Sequence, residues 1–146
     1  MKILFGEVEV NEPLDFVTFI DPKYVVSLEN VEFAAKKALK AWESGKRISK
    51  SLAMEILLYY AATRQIKDAA KIGFKFGKQK VVAVVLDDEK FKKLKFKELD
   101  FKPEYDLEAT MKHYEITEEE LKIAEVEKLP MLIRERIAIF SATYER

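Results

Sequence analysis

The chain has no cysteine among its 146 residues, which excludes a disulfide framework, a thiolate zinc site and a cysteine nucleophile. It has a single histidine, His113, so no imidazole cluster can hold a metal or relay protons. An isolated helical histidine reads as a packed or solvated side chain before it reads as a general base. Four glycines leave little material for a dinucleotide fingerprint. The stretch Gly73-Phe74-Lys75-Phe76-Gly77-Lys78 lacks both the four-residue spacing and the hydroxyl residue of a phosphate loop. No apolar run approaches the ~20 residues that span a bilayer, and the longest, Ile56 to Ala62, has only helix-core length. The amino-terminal segment turns acidic at Glu7, too early for a secretory signal. These absences lead us to expect a cytoplasmic protein with no cofactor, no metal, no membrane contact and no catalytic residue.

What is abundant is charge. Lys and Arg number 26 and Asp and Glu also 26, with Lys and Glu dominating and very little Asn or Gln, a bias found in hyperthermophile proteins. The balance is uneven along the chain. Residues 34–80 hold twelve bases (Lys36, Lys37, Lys40, Lys46, Arg47, Lys50, Arg64, Lys67, Lys71, Lys75, Lys78, Lys80) against Glu43, Glu55 and Asp68. The acids concentrate in residues 7–32 and 87–127. Such asymmetry fits an anionic partner, or a basic segment that pairs with acidic segments of the same fold. Charge alone leaves both open.

The hydrophobic pattern changes period along the chain. Leu4, Val8 and Val10 alternate with Glu7 and Glu9, the pattern of a half-buried strand over residues 2–10. Residues 11–21 are ambiguous, with a short helix entered at Pro13 as one reading; Tyr24-Val25-Val26-Ser27 reads as a second strand. From Glu29 to Ser44 apolar residues recur every three or four positions, and Gly45 supplies the stop. Ser49 is placed as the cap of a second helix reaching Ala62, apolar nearly all round and so expected at the centre of the fold. Thr63 reads as the cap of a helix from Arg64 to Ile72. The β-branched run Gln79 to Leu86 predicts a strand buried on both faces. Beyond it we expect a helix carrying Phe91, Leu94 and Leu99, one opened by Pro103 through His113, a capping box at Thr117 to Glu120, and a last helix over 130–143. Asp87-Asp88-Glu89 is read as a solvated turn rather than a cation site. No repeat, linker or low-complexity stretch divides the chain. The expectation is one α+β domain over residues 1–146, a small and mostly antiparallel sheet packed with several helices.

Two features exceed the needs of a core. At the junction Tyr59 to Ile66 a buried helix ends and Arg64 and Gln65 open another, whose free amides and dipole would favour anions. Lys67 and Lys71 share one helix face. With Arg47 and Lys50 they could line a phosphate site, and Tyr59 or Tyr60 could stack an unpaired base. The plain alternative is that Arg64 pairs with an acid and the tyrosines are core. In the last helix, Ile133, Ile137, Phe140 and Tyr144 form one apolar stripe, with Leu132, Ile139 and Thr143 beside it. So wide an arc suits a partner surface or two-sided packing.

The run Ile48-Ser49-Lys50-Ser51-Leu52-Ala53-Met54-Glu55-Ile56-Leu57-Leu58-Tyr59, closed by Thr63-Arg64-Gln65-Ile66-Lys67-Asp68-Ala69, resembles the signature of the PRPK-binding protein family, the kinase-binding subunit of the KEOPS complex. The helix before it and the strand after it fall in the order the family has. Ala62 departs from the glycine found in many relatives, which puts the geometry of the turn into Arg64 in question. The resemblance implies a non-catalytic regulatory subunit, of the archaeal type, in a complex that installs threonylcarbamoyl on a tRNA adenosine. It implies docking on a small atypical kinase/ATPase, indirect association with the other KEOPS subunits, and capture of the unpaired 3′ acceptor tail of tRNA. Under it, Arg47, Lys50, Tyr59, Arg64, Gln65, Lys67 and Lys71 are candidates for RNA contact, and Ile133, Ile137, Phe140 and Tyr144 for kinase contact. From the residues alone the competing reading is a domain or enzyme that holds a phosphorylated small molecule at the Arg64 junction; a scaffold that touches only protein is the third.

Overall fold

The structure, a computed structural model, describes residues 1–144, the side chain of Tyr144 excepted. Its core element is β3 (Gly77–Val85), whose residues Val81 to Val85 are all buried. β3 pairs antiparallel with β1 (Lys2–Val10) on one side and β2 (Val17–Ile20) on the other. The two-residue β4 (Lys97–Glu98) adds to β1, giving the order β2-β3-β1-β4. The alternation of β3 explains why its run is apolar without a break. Val82 and Val84 face the helices, whereas Val81, Ala83 and Val85 meet Val8, Val10, Val17, Phe19 and Phe91 on the opposite side. Gly6 is where β4 closes on β1. A Cβ there would run into the Lys97 carbonyl and the Phe96 ring, so the close approach requires glycine.

The helical layer is built on α1 (Leu28–Glu43) and α2 (Leu52–Ala61). In α2 only Leu52 and Met54 are not buried, and it takes the central place its apolar circumference demands. Thr18 Oγ1 donates to the Ala53 carbonyl at 2.7 Å and ties the helix to β2. Then follow α3 (Ile66–Ala70), α4 (Asp88–Phe91), α5 (Leu107–Tyr114), α6 (Glu118–Ala124) and α7 (Leu129–Tyr144). The molecule is an α+β fold, as the pattern indicated. Among the described residues no helix is long and apolar enough to cross a membrane.

Several local expectations are corrected. The second strand is Val17–Ile20, within the segment read as ambiguous, and not Tyr24 to Ser27. Pro22–Tyr24 forms a 3-10 turn, and Val25 and Val26 are buried in the helix-side core rather than paired. No helix opens at Pro13. Ser27 caps α1, and its hydroxyl accepts the Asn30 amide; Gly45 turns the chain at φ +83°. The cap of α2 is Ser51, which accepts the Met54 amide, while Ser49 serves Glu55. β3 begins two residues earlier than read, at Gly77. Leu94 and Leu99 lie outside any helix, because α4 ends at Phe91 and the chain returns as β4. α5 opens at Asp106 rather than Pro103. Thr117 does cap α6 by accepting the Glu120 amide, but the Glu120 carboxylate goes to Arg136 at 2.7 Å.

Candidate functional site

The basic loop between α1 and α2 is held by a buried acid. Glu55 has no exposed surface. Its carboxylate accepts the amides of Ile48 and Ser49, each at 2.8 Å, and the Ser49 hydroxyl at 2.6 Å. Hydrogen bonds to a charged acceptor contribute about 1.5–3 kcal/mol each, so this one side chain fixes the loop that exposes Lys46, Arg47 and Lys50. The sequence reading missed Glu55, although a lone acid on a helix that is otherwise apolar all round is a visible signal. Arg47 is organised further. Its guanidinium lies 3.8 Å from the Trp42 ring centroid, and its Nε donates to the Trp42 carbonyl at 3.1 Å.

At the other end of α2 the chain turns through Ala62, left-handed at φ 53° and ψ 44°. The Thr63 amide donates back to the Leu58 carbonyl at 3.1 Å, a Schellman-type closure. Thr63 Oγ1 accepts the Gln65 amide, yet the helix begins only at Ile66 and runs five residues. A single turn gathers little dipole, so the expected anion site at a helix N-terminus is not formed. Arg64, Gln65, Lys67 and Lys71 are exposed, and Lys71 pairs with Asp68 at 3.6 Å. Arg47 and Lys50 are not brought to them, because the ten residues of α2 intervene, a separation of about 15 Å along the axis. Tyr59 is wholly buried, with its ring edge-on to Phe140 at 5.2 Å. It offers no face to a base. Tyr60 is equally buried and donates its hydroxyl to the Tyr24 carbonyl.

The α7 stripe is also turned inward. Ile133 and Ile137 have no exposed surface and Phe140 only 8%, because this face closes on α1 and α2. The side chain of Tyr144 lies outside the described residues. Among the described residues, the large apolar side chains that α7 presents are Met131, 47% exposed, and Ile139, 64% exposed. Arg134 meets the buried Asn30 of α1, whose amide donates to the Pro130 carbonyl.

Ile139 flanks an open groove of about 790 Å³ between the end of α2, α3, α5 and α7. Lys71, Lys112 and Arg136 bring positive charge to it, Asp68 and Glu115 negative charge, and Tyr24 and His113 aromatic rings. His113 Nε2 lies 2.9 Å from the Ala61 carbonyl; a carbonyl can only accept, so Nε2 carries the proton. Burial pushes the imidazole below its ordinary pKa; the Ala61 carbonyl and Asp68 act upward and Lys71 downward. The groove floor is fixed by Tyr114, whose hydroxyl donates to the Tyr60 carbonyl at 2.5 Å. Burial holds both phenols protonated far above the usual range. Arg136 closes one side, donating to the Tyr114 and Glu115 carbonyls. Elsewhere, Asp87 caps α4, while Asp88 and Glu89 pair with Lys2 and Lys92, which accounts for the acidic turn.

A sequence model of the family of kinase binding protein CGI-121 matches residues 4–141, from the third residue of β1 to near the end of α7. The chain belongs to the CGI-121 family. No individually curated protein matches it in a direct comparison. The CGI-121 match takes in the Glu55-anchored loop, the Ala62 turn and every described residue lining the groove up to Phe140. It therefore bears on the whole molecule and not on one motif.

Proposed function

We propose that the chain is a non-catalytic regulatory subunit of the KEOPS complex, docking on the small atypical kinase/ATPase and recruiting tRNA through its unpaired 3′ acceptor tail. The observation that carries the kinase half is the match to a kinase-binding family over residues 4–141. With Ile133 and Ile137 in the core, the kinase would meet the outward face of α7, around Met131 and Ile139.

The tRNA half is supported by where the basic segment faces. From Lys46 to Lys71 its cations lie on the surface, and Lys71 meets an acid of its own short helix rather than a distant one. At the strand end the basic segment meets an acidic one, where Lys80 and Lys78 stand opposite Glu7 and Glu9 in the β1–β3 ladder. Arg64, Gln65, Lys67 and Lys71 then form the RNA-facing rim, next to the groove that Lys71 enters; Arg47 and Lys50 form a second, separate contact.

The test is binding of the purified protein to whole tRNA and to tRNA lacking its unpaired 3′ end, at two salt concentrations. Phosphate contacts weaken as salt rises, through counterion release. The expected result is tail-dependent, salt-sensitive binding that Arg64→Glu weakens without lowering thermal stability. An affinity indifferent to both tail and salt would contradict the recruiting role.

A further inference from the structure

The turn between α3 and β3 holds an aromatic ring out in solvent. Phe76 is 70% exposed, whereas Phe74 packs against the outer sheet cluster and meets the Phe76 ring at 5.7 Å and 82°. The backbone beneath the ring is clamped by one side chain. Gln79 Oε1 accepts the Lys75 amide at 2.9 Å, and its Nε2 donates to the Gly77 carbonyl at 3.0 Å and to the Lys75 carbonyl. Gly77 completes the turn at φ +103°. A single exposed apolar side chain is ordinary on a protein surface. A ring whose backbone is fixed by a side-chain amide differs, because the ordering that a ligand would otherwise have to impose is already present.

The surroundings indicate what could lie on the ring. Residues 69–86 contain no acid and carry Lys71, Lys75, Lys78 and Lys80. Lys78 and Lys80 stand across from Glu9 and Glu7, and Lys71 pairs with Asp68. The positive excess is therefore modest and centres on Lys75, whose Nζ donates to the Lys71 carbonyl. A protein anchor residue sits among further apolar contacts that exclude water, and the exposed neighbours of Phe76 in sequence are lysines. An open π-face beside a cationic backbone track is the arrangement that takes up a base and its phosphate in single-stranded nucleic acid.

We infer that Phe76 is a stacking platform for an unpaired base of an RNA strand whose phosphates pass Lys75 and Lys71. The inference rests on the tRNA-recruiting role proposed above, and it supplies the ring that the buried Tyr59 cannot. Two probes test it: a short unpaired RNA oligonucleotide containing 2-aminopurine, whose fluorescence falls on stacking, and a blunt RNA duplex with the same number of phosphates. Wild-type protein is expected to quench the oligonucleotide. Phe76→Ala is expected to abolish the quenching and weaken oligonucleotide binding about tenfold, as loss of one base–ring stack does. Its duplex affinity and melting temperature should be unchanged, and Phe76→Trp should retain both quenching and affinity. If Phe76→Ala binds and quenches like wild type while Arg64→Glu still weakens binding, the stacking role is overturned and the recruiting role stands. If wild-type protein binds neither probe, both are overturned. If Phe76→Ala spares RNA binding but weakens the kinase complex, the ring is a protein contact and the inference is wrong.

Discussion

Ala62 occupies a conformation in which its Cβ crowds the following carbonyl, at roughly 1–2 kcal/mol for an L-residue. It does so because the chain must reverse between α2 and α3. Ala62→Gly is therefore expected to stabilise the protein by about 1 kcal/mol, after the entropy of the freer unfolded chain offsets part of the relief; a shift of the urea midpoint upward at constant slope would show it. His113 gives a second prediction at this scale. Its folded pKa lies below the unfolded value of about 6.5, so the unfolded chain takes up a proton before the folded one does. Stability is then complete above that value and declines as pH falls from it to the folded pKa. His113→Gln keeps a donor for the Ala61 carbonyl and cannot titrate. The difference in unfolding free energy between wild type and variant should narrow or reverse in the variant's favour from pH 7 to pH 5, and parallel profiles would contradict this. Of these residues, Ala62 was singled out through the resemblance, which implies glycine there, while its left-handed conformation came from the structure. The burial of His113 was not legible, since it depends on Ala61, fifty-two positions away.

At the scale of elements, periodicity gave α1, α2, β1, β3 and α7 within a few residues, because each carries enough apolar positions to define a face. Phase was harder. α7 has apolar side chains on so wide an arc that its inward stripe is chosen by α1 and α2, which press on Ile133 and Ile137 and leave Ile139 outside. The two readings separate experimentally. Ile137→Ala should cost about 2–5 kcal/mol of stability, as truncating a buried isoleucine does. Ile139→Glu should leave stability within about 0.5 kcal/mol while weakening the kinase complex. Equal losses of stability from both would contradict the orientation of the helix. Strand choice failed for a related reason: Val17–Ile20 and Tyr24 to Ser27 are both short and apolar, and only pairing with β3 selects the first. The α3 error was one of length, since Thr63 caps a turn that the helix does not yet occupy.

Across the whole molecule, the fold class followed from a strand pattern interrupted by long amphipathic stretches. The groove did not, because its walls come from Tyr24, the end of α2, α5 and α7, segments spread over most of the chain. The charge asymmetry was legible, but its meaning was divided: the structure turns Lys46 to Lys71 outward and sets Lys78 and Lys80 against Glu9 and Glu7. A subunit that couples a kinase to tRNA uses two surfaces at once, and the measurement that tests this most directly is association of tRNA with the small kinase in the presence and absence of this chain. The account predicts that tail-bearing tRNA co-migrates with the kinase only when the chain is added, and less so as salt is raised. Association of tRNA with the kinase that is the same with or without the chain would contradict it.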